Sequence, residues 1–144
     1  MFAIFDDLQF PKIYIKLSKV EDDTDFENFL QKWESYDNFK KEYTFIFDTR
    51  NVEFVPLKYA FNMSNFILNL KNKKKQNNSV FLSKSIIVCT NFYIRKLLEM
   101  IFLLQTPVAN VYIVDDFDKV ENLYNKLTFS PHFYDSSVTL FSSK

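Results

Sequence analysis

The chain has 144 residues, in which 18 Lys and Arg balance 18 Asp and Glu, with one His and a formal net charge of zero. It is 47% apolar and 25% charged, a globular composition that excludes a disordered chain and points to one domain. Zero net charge removes the electrostatic case for a nucleic-acid partner. The absence of glycine removes the backbone loops that cradle phosphate in P-loop and Rossmann sites.

Without glycine, turns fall to Asn, Asp and Pro, which tolerate or pre-set turn geometry. Thirteen Asn, 16 Lys and 18 Phe beside no Gly form the pattern of an AT-rich genome, viral or microbial. Cys89 lies alone in the apolar run Ile86, Ile87, Val88 and reads as a small buried hydrophobe. Residues 1–7 turn acidic after five positions and lack the basic start of a signal peptide. The longest apolar stretch, residues 100–104, is far shorter than the ~18 residues of a spanning segment. The expectation is a cytoplasmic protein without a transmembrane segment.

In chain order, residues 2–5 form a short strand ended by Asp6 and Asp7. Residues 12–18 alternate, with Ile13, Ile15 and Leu17 on one face and Tyr14 and Lys16 on the other, as in a half-buried strand. Thr24 and Glu27 have capping-box spacing, and Phe26, Phe29, Leu30 and Trp33 make one helical face. Residues 43–48 read as a strand covered on both faces. Pro56 opens a helix whose stripe holds Leu57, Ala60, Phe61, Ser64 and Leu68, widened by Met63, Phe66, Ile67 and Leu70. Residues 71–78 read as a polar loop and 85–90 as a second buried strand. Asn91 caps a helix carrying Ile94, Leu97, Leu98, Ile101 and Leu104. Residues 111–114 form a last central strand, and Asp116 caps a helix with Val120, Leu123 and Leu127.

The order β-β-α-β-α-β-α-β-α demands crossover connections. The expected fold is α/β: a small, mostly parallel sheet of four to five strands flanked by four helices, with an early hairpin supplying one antiparallel edge. Residues 1–127 form a single domain. Residues 128–144 are a Ser-rich tail that packs on it or hangs free, with Val138, Thr139 and Leu140 as a candidate edge strand.

The order of elements resembles the STAS domain of anti-sigma-factor antagonists and anion transporters, and the related C-terminal half of CRAL-TRIO lipid-transfer domains. The stretch Thr44-Phe-Ile-Phe-Asp48-Thr-Arg-Asn51-Val-Glu-Phe54-Val-Pro56 carries the likeness. It is similar to the STAS pattern of a buried strand ending in Asp, a turn, a short hydrophobic bridge and a helix start. Asn51 stands where the family has glycine and is expected to take the left-handed conformation. The resemblance covers residues 10–127. It implies a non-enzymatic interaction or regulatory module that meets a protein partner, or a second copy, around Pro56, Lys58, Tyr59 and Asn62. The family's regulatory serine is replaced here by Pro56, Leu57 and Lys58, so the phospho-switch is absent from that site.

Three further features compete with structural explanations. Lys71, Lys73, Lys74 and Lys75 form a candidate contact for an anion or an acidic partner, against a solvated loop. Asp48, Asp115 and Asp116 end predicted strands, where carboxylates can hold Mg²⁺ for phosphoryl transfer; capping and strand termination explain them better, so no metal, cofactor or catalytic residue is assigned. His132 follows Pro131 in the tail and reads as a surface residue. The lipid-transfer likeness gives an alternative, a hydrophobic-ligand carrier with a dry cavity lined by Phe61, Phe66, Leu98 and Phe102, although the N-terminal helices that complete a lipid pocket are not seen.

Overall fold

The computed structural model describes residues 1–133 and 135–144. Six strands, β1 (Ala3–Asp6), β2 (Lys12–Leu17), β3 (Tyr43–Asp48), β4 (Leu82–Val88), β5 (Val111–Val114) and β6 (Thr139–Phe141), lie side by side in sequence order. β2 to β5 run parallel, while β1 and β6 close the two edges antiparallel. The expected four to five strands are therefore six. The extra one comes from the tail, where Thr139 to Phe141 pair with Ile113 to Val111.

Four helices connect the strands: α1 (Asp23–Ser35), α2 (Leu57–Asn77), α3 (Phe92–Leu104) and α4 (Val120–Phe129). Parallel neighbours added in one direction require crossovers of one hand, which stack successive helices on one face. Accordingly, α1, α2 and α3 share a core with Ile13, Ile15, Phe45, Phe47, Ile87 and Ile113. α4 alone packs the other face, where Val120, Leu123 and Leu127 meet Ile46, Ile86, Val88, Tyr112 and Val114. β3, β5 and the second half of β4, Ile86 to Val88, read as apolar runs because both of their faces are covered. β2 alternates because only its Ile13, Ile15 and Leu17 side is fully buried.

Local chemistry explains where the elements depart from expectation. α1 is capped by Asp22, which accepts from the Asp25 amide at 2.8 Å, so the cap lies two residues before Thr24. The lysine run of residues 71–75 is not a loop; it forms the last turns of α2, where cations face the negative helix end. Asn78 ends that helix in the left-handed conformation (φ 50°), with its amide on the Lys74 carbonyl. Asn51, expected to be left-handed, is not. Among the described residues positive φ belongs to Lys40 and Asn78, and the turn after β3 is instead ordered by Asp48, which accepts from the Arg50 amide at 3.1 Å. Asp116 caps a short 3-10 turn, Phe117–Lys119, that leads into α4.

Two polar ties fix this frame. Lys12 at the start of β2 pairs with Glu121 of α4 at 3.0 Å, and Tyr14 donates to the same carboxylate. Lys12 and half-buried Lys84 also lie over the Tyr124 ring, at 5.1 and 5.3 Å, and burial lowers the Lys84 ammonium from its usual range. On the three-helix side, buried Asp37 accepts from the Tyr43 hydroxyl at 2.7 Å and the Phe81 amide at 3.0 Å. That carboxylate joins the segment after α1 to the starts of β3 and β4. Burial, reinforced by Asp37, pushes the Tyr43 hydroxyl far above its usual range. Replacing Asp37 by Ala strands both donors and is expected to cost about 2–4 kcal/mol. Urea unfolding with an unchanged m-value checks it.

Candidate functional site

The carboxyl ends of β3 and β4 carry two loops that are fastened together. Thr49 donates its hydroxyl to the Val88 carbonyl at 2.7 Å. Asn91 accepts from the Tyr93 amide at 2.8 Å to start α3, and its side-chain amide donates to the Val52 and Glu53 carbonyls. Tyr93 donates its hydroxyl to the Val55 carbonyl at 2.8 Å, and its ring stacks on Phe54 with centroids 5.5 Å apart and 19° between planes. One asparagine thus caps a helix and orders the loop that enters the neighbouring helix.

This rigid corner displays apolar side chains to solvent. Phe92 is 74% exposed, Phe54 63%, Leu57 52% and Phe61 48%. The sequence stripe on α2 placed Leu57, Phe61 and Leu68 toward the core. In fact the buried face is formed by Tyr59, Ala60, Ser64, Phe66, Ile67 and Leu70. That rotation leaves Leu57, Phe61 and Leu68 on the outward side of α2. Large apolar groups at neighbouring positions on a rigid shelf mark an interaction site far better than scattered ones.

Of the residues expected to meet a partner, Asn62 and Lys58 are exposed and Pro56 is half-buried at the helix cap. Lys58 pairs with Asp23 at 2.9 Å. Tyr59 is buried: its ring centroid lies 4.8 Å from that of Phe26, and its hydroxyl donates to Asp23 at 2.8 Å. It supports the shelf from below. Sequence reasoning missed Phe54, Phe92 and Tyr93. Their signal was an aromatic residue beside each helix start, where no helical stripe accounts for it.

The lysine cluster divides. Lys71 donates to Gln105 and Thr106 at 2.7 and 2.6 Å, and Lys73 pairs with Glu34 at 3.2 Å. Lys74 and Lys75 are exposed at the end of α2. The three aspartates do not converge on a common centre. Asp48 holds the Arg50 guanidinium in a two-bond fork at 2.9 and 2.8 Å, Asp115 pairs with Lys119 at 2.7 Å, and Asp116 caps the turn. Among the described residues no group of three or more His, Cys, Asp and Glu is placed to hold a metal ion. His132 is exposed beyond α4, and no helix among the described residues is long and apolar enough to cross a membrane.

Beneath the shelf, residues of α1, α2, α3 and the sheet line a half-open apolar cavity of about 130 Å³. The four side chains expected to line a carrier's cavity are not brought together. Leu98 does line it. Phe66 packs on Trp33 at 5.3 Å, Phe102 packs on Phe141 at 5.0 Å, and Phe61 faces out.

The ion pairs give the fold an acid-sensitive component. Hydrogen bonds from Arg50 hold the Asp48 carboxyl below its usual range against partial burial, and Tyr14 and Lys12 do the same for Glu121. A carboxyl whose pKa falls on folding stabilises the protein above the unfolded value, near 4. That stability is lost as pH drops through the lower folded value. Asp48→Asn is therefore expected to be less stable than the parent at pH 6, and the gap should close toward pH 3. Urea midpoints across that range check it. No protein-family model, curated protein or solved structure matches the chain, so its geometry alone carries the functional reading.

Proposed function

We propose that the chain is a non-enzymatic interaction module with a STAS-like arrangement, which docks a protein partner through the shelf formed by Phe54, Leu57, Phe61, Phe92 and Tyr93. The observation that carries this reading is the exposure of these large apolar groups on a corner held rigid by Asn91 and Tyr93. Docking energy concentrates in a few aromatic anchors on preorganised surfaces, and this shelf supplies both features. Lys58 and Asn62 form its polar rim.

The STAS-like part of the reading is supported by the run of parallel strands in sequence order, by Asp48 ending β3, and by the exposure of Leu57 and Phe61 in the first turns of α2. With Pro56, Leu57 and Lys58 at the family's regulatory position, control by phosphorylation there is absent from this reading. A cytoplasmic setting belongs to it as well, supported by the lone buried Cys89.

Native mass spectrometry of protein purified from its own cells tests the proposal. A species heavier than 17.3 kDa by a protein-sized amount, or by a second copy, is expected. Phe92→Ser or Phe61→Ser should weaken that complex by about tenfold or more while changing stability by no more than about 0.5 kcal/mol. Lys58→Ala should have a smaller effect, since a rim charge contributes little. A complex that survives both aromatic substitutions unchanged overturns the assignment.

A further inference from the structure

Lys84 departs from the pattern of the sheet face that α4 covers. Lys12, Thr44 and Lys84 sit on one rung of β2, β3 and β4, near the amino ends of the strands. Period-2 alternation puts Thr44 and Lys84 on the same side as Ile46 and Ile86, which pack under α4. Lys84 is thus a half-buried cation on a central strand. A charge placed there is costly unless a partner neutralises it.

The described residues supply no such partner. Lys12 and Lys84 both lie over the Tyr124 ring, at 5.1 and 5.3 Å, and the ring's face replaces part of the lost hydration. Lys12 is also neutralised by Glu121 at 3.0 Å. Lys84 forms no ion pair or hydrogen bond with a described residue; exposed Glu42 acts on it only at a distance. Burial accordingly lowers its ammonium from the usual range.

Lys84 lines a half-open pocket of about 490 Å³, with Thr44, Tyr112, Tyr124, Leu127 and Pro131 among the other walls. That volume falls in the range of small-molecule sites. Exposed Glu42 and His132 stand at its rim. The last turns of α4 form part of the wall, and the partial negative charge of a helix end disfavours a doubly charged guest. One unbalanced cation matches one negative charge.

We propose that this pocket binds a small organic monocarboxylate, with its carboxylate on the Lys84 ammonium and its apolar, ring-sized body against Tyr112, Leu127 and Pro131. The pocket lies at the other end and on the other face of the sheet from the docking shelf. Neither assignment depends on the other.

Benzoate is the probe and benzamide its uncharged near-isostere, each titrated into the ¹⁵N-labelled chain. Benzoate should give saturable, one-to-one shifts at the amides of Thr44, Lys84 and Tyr124. Its Kd should be about tenfold below that of benzamide, the weight of one charge-assisted hydrogen bond. Lys84→Met keeps the apolar stem and should erase that preference, while Lys74→Met, at the exposed end of α2, should retain it. If Lys84→Met does not fold, amine acetylation of the parent chain decides: saturating benzoate should slow modification of Lys84 but not of exposed Lys16, read by peptide mass. Absence of saturable shifts, equal affinity for the two probes, a preference that persists in Lys84→Met, or tighter binding of acetate or inorganic phosphate than of benzoate would each overturn the proposal. So would an acetylation rate at Lys84 that benzoate leaves unchanged.

Discussion

The Trp33 ring is the keystone of the three-helix face. It meets Phe45 edge-on at 5.0 Å, Phe47 at 5.6 Å, Phe29 at 5.9 Å and Phe66 at 5.3 Å. One side chain from α1 thereby touches the central strand β3 and the next helix, α2. Phe45 and Phe47 project to the same side of β3, 5.5 Å apart, and carry the web to Tyr43, Tyr36 and Phe5. Burying each such ring is worth about 1.5–3 kcal/mol, with roughly 0.5–1.5 more for each well-placed pair. The positions of α1 and α2, and so the angle of the shelf, follow from this packing.

Rigid rings also explain how packing and voids coexist. Flat side chains that meet edge to face leave wedges between them which aliphatic neighbours must fill. Near Phe47 the filling is incomplete, because Ala60 is the small residue that α2 contributes there. The cavity and the aromatic web are two aspects of one choice of residues. The shelf outside has the same origin: once Tyr59, Ala60, Phe66 and Ile67 are committed to the rings, Leu57, Phe61 and Leu68 face away.

Much of the architecture was legible in the sequence because period-2 and period-3.6 patterns report burial directly. β2 declared itself through Ile13, Ile15 and Leu17, α3 through Asn91 and its stripe, and β5 through four apolar residues. The sixth strand was legible only as a candidate, since Thr139 to Phe141 is short and its burial incomplete. The end of α2 was misread because a lysine run looks like a loop until the helix end behind it is known. Facing was the hardest property to read. α2 has more apolar residues than one face can bury, so its rotation depended on partners from β3 and α1 that a one-dimensional pattern does not contain. The shelf was half legible for the same reason: the start of α2 was visible, while Phe54 and Phe92 joined it only through the link from Asn91 to the neighbouring loop.

The strict sequence order of the strands has a consequence for how the protein is made. Each parallel strand adds to the edge left by the one before it, so the sheet can grow in step with synthesis from neighbours that are close in the chain. Such local assembly shortens the loops to be closed and favours rapid folding. The exception is the far edge. Until Thr139 to Phe141 emerge, β5 presents unpaired backbone, an invitation to pair with another chain. A ribosome paused after α4 would therefore hold a nearly finished sheet with one sticky margin, and the three-residue strand β6 is the seal that closes it.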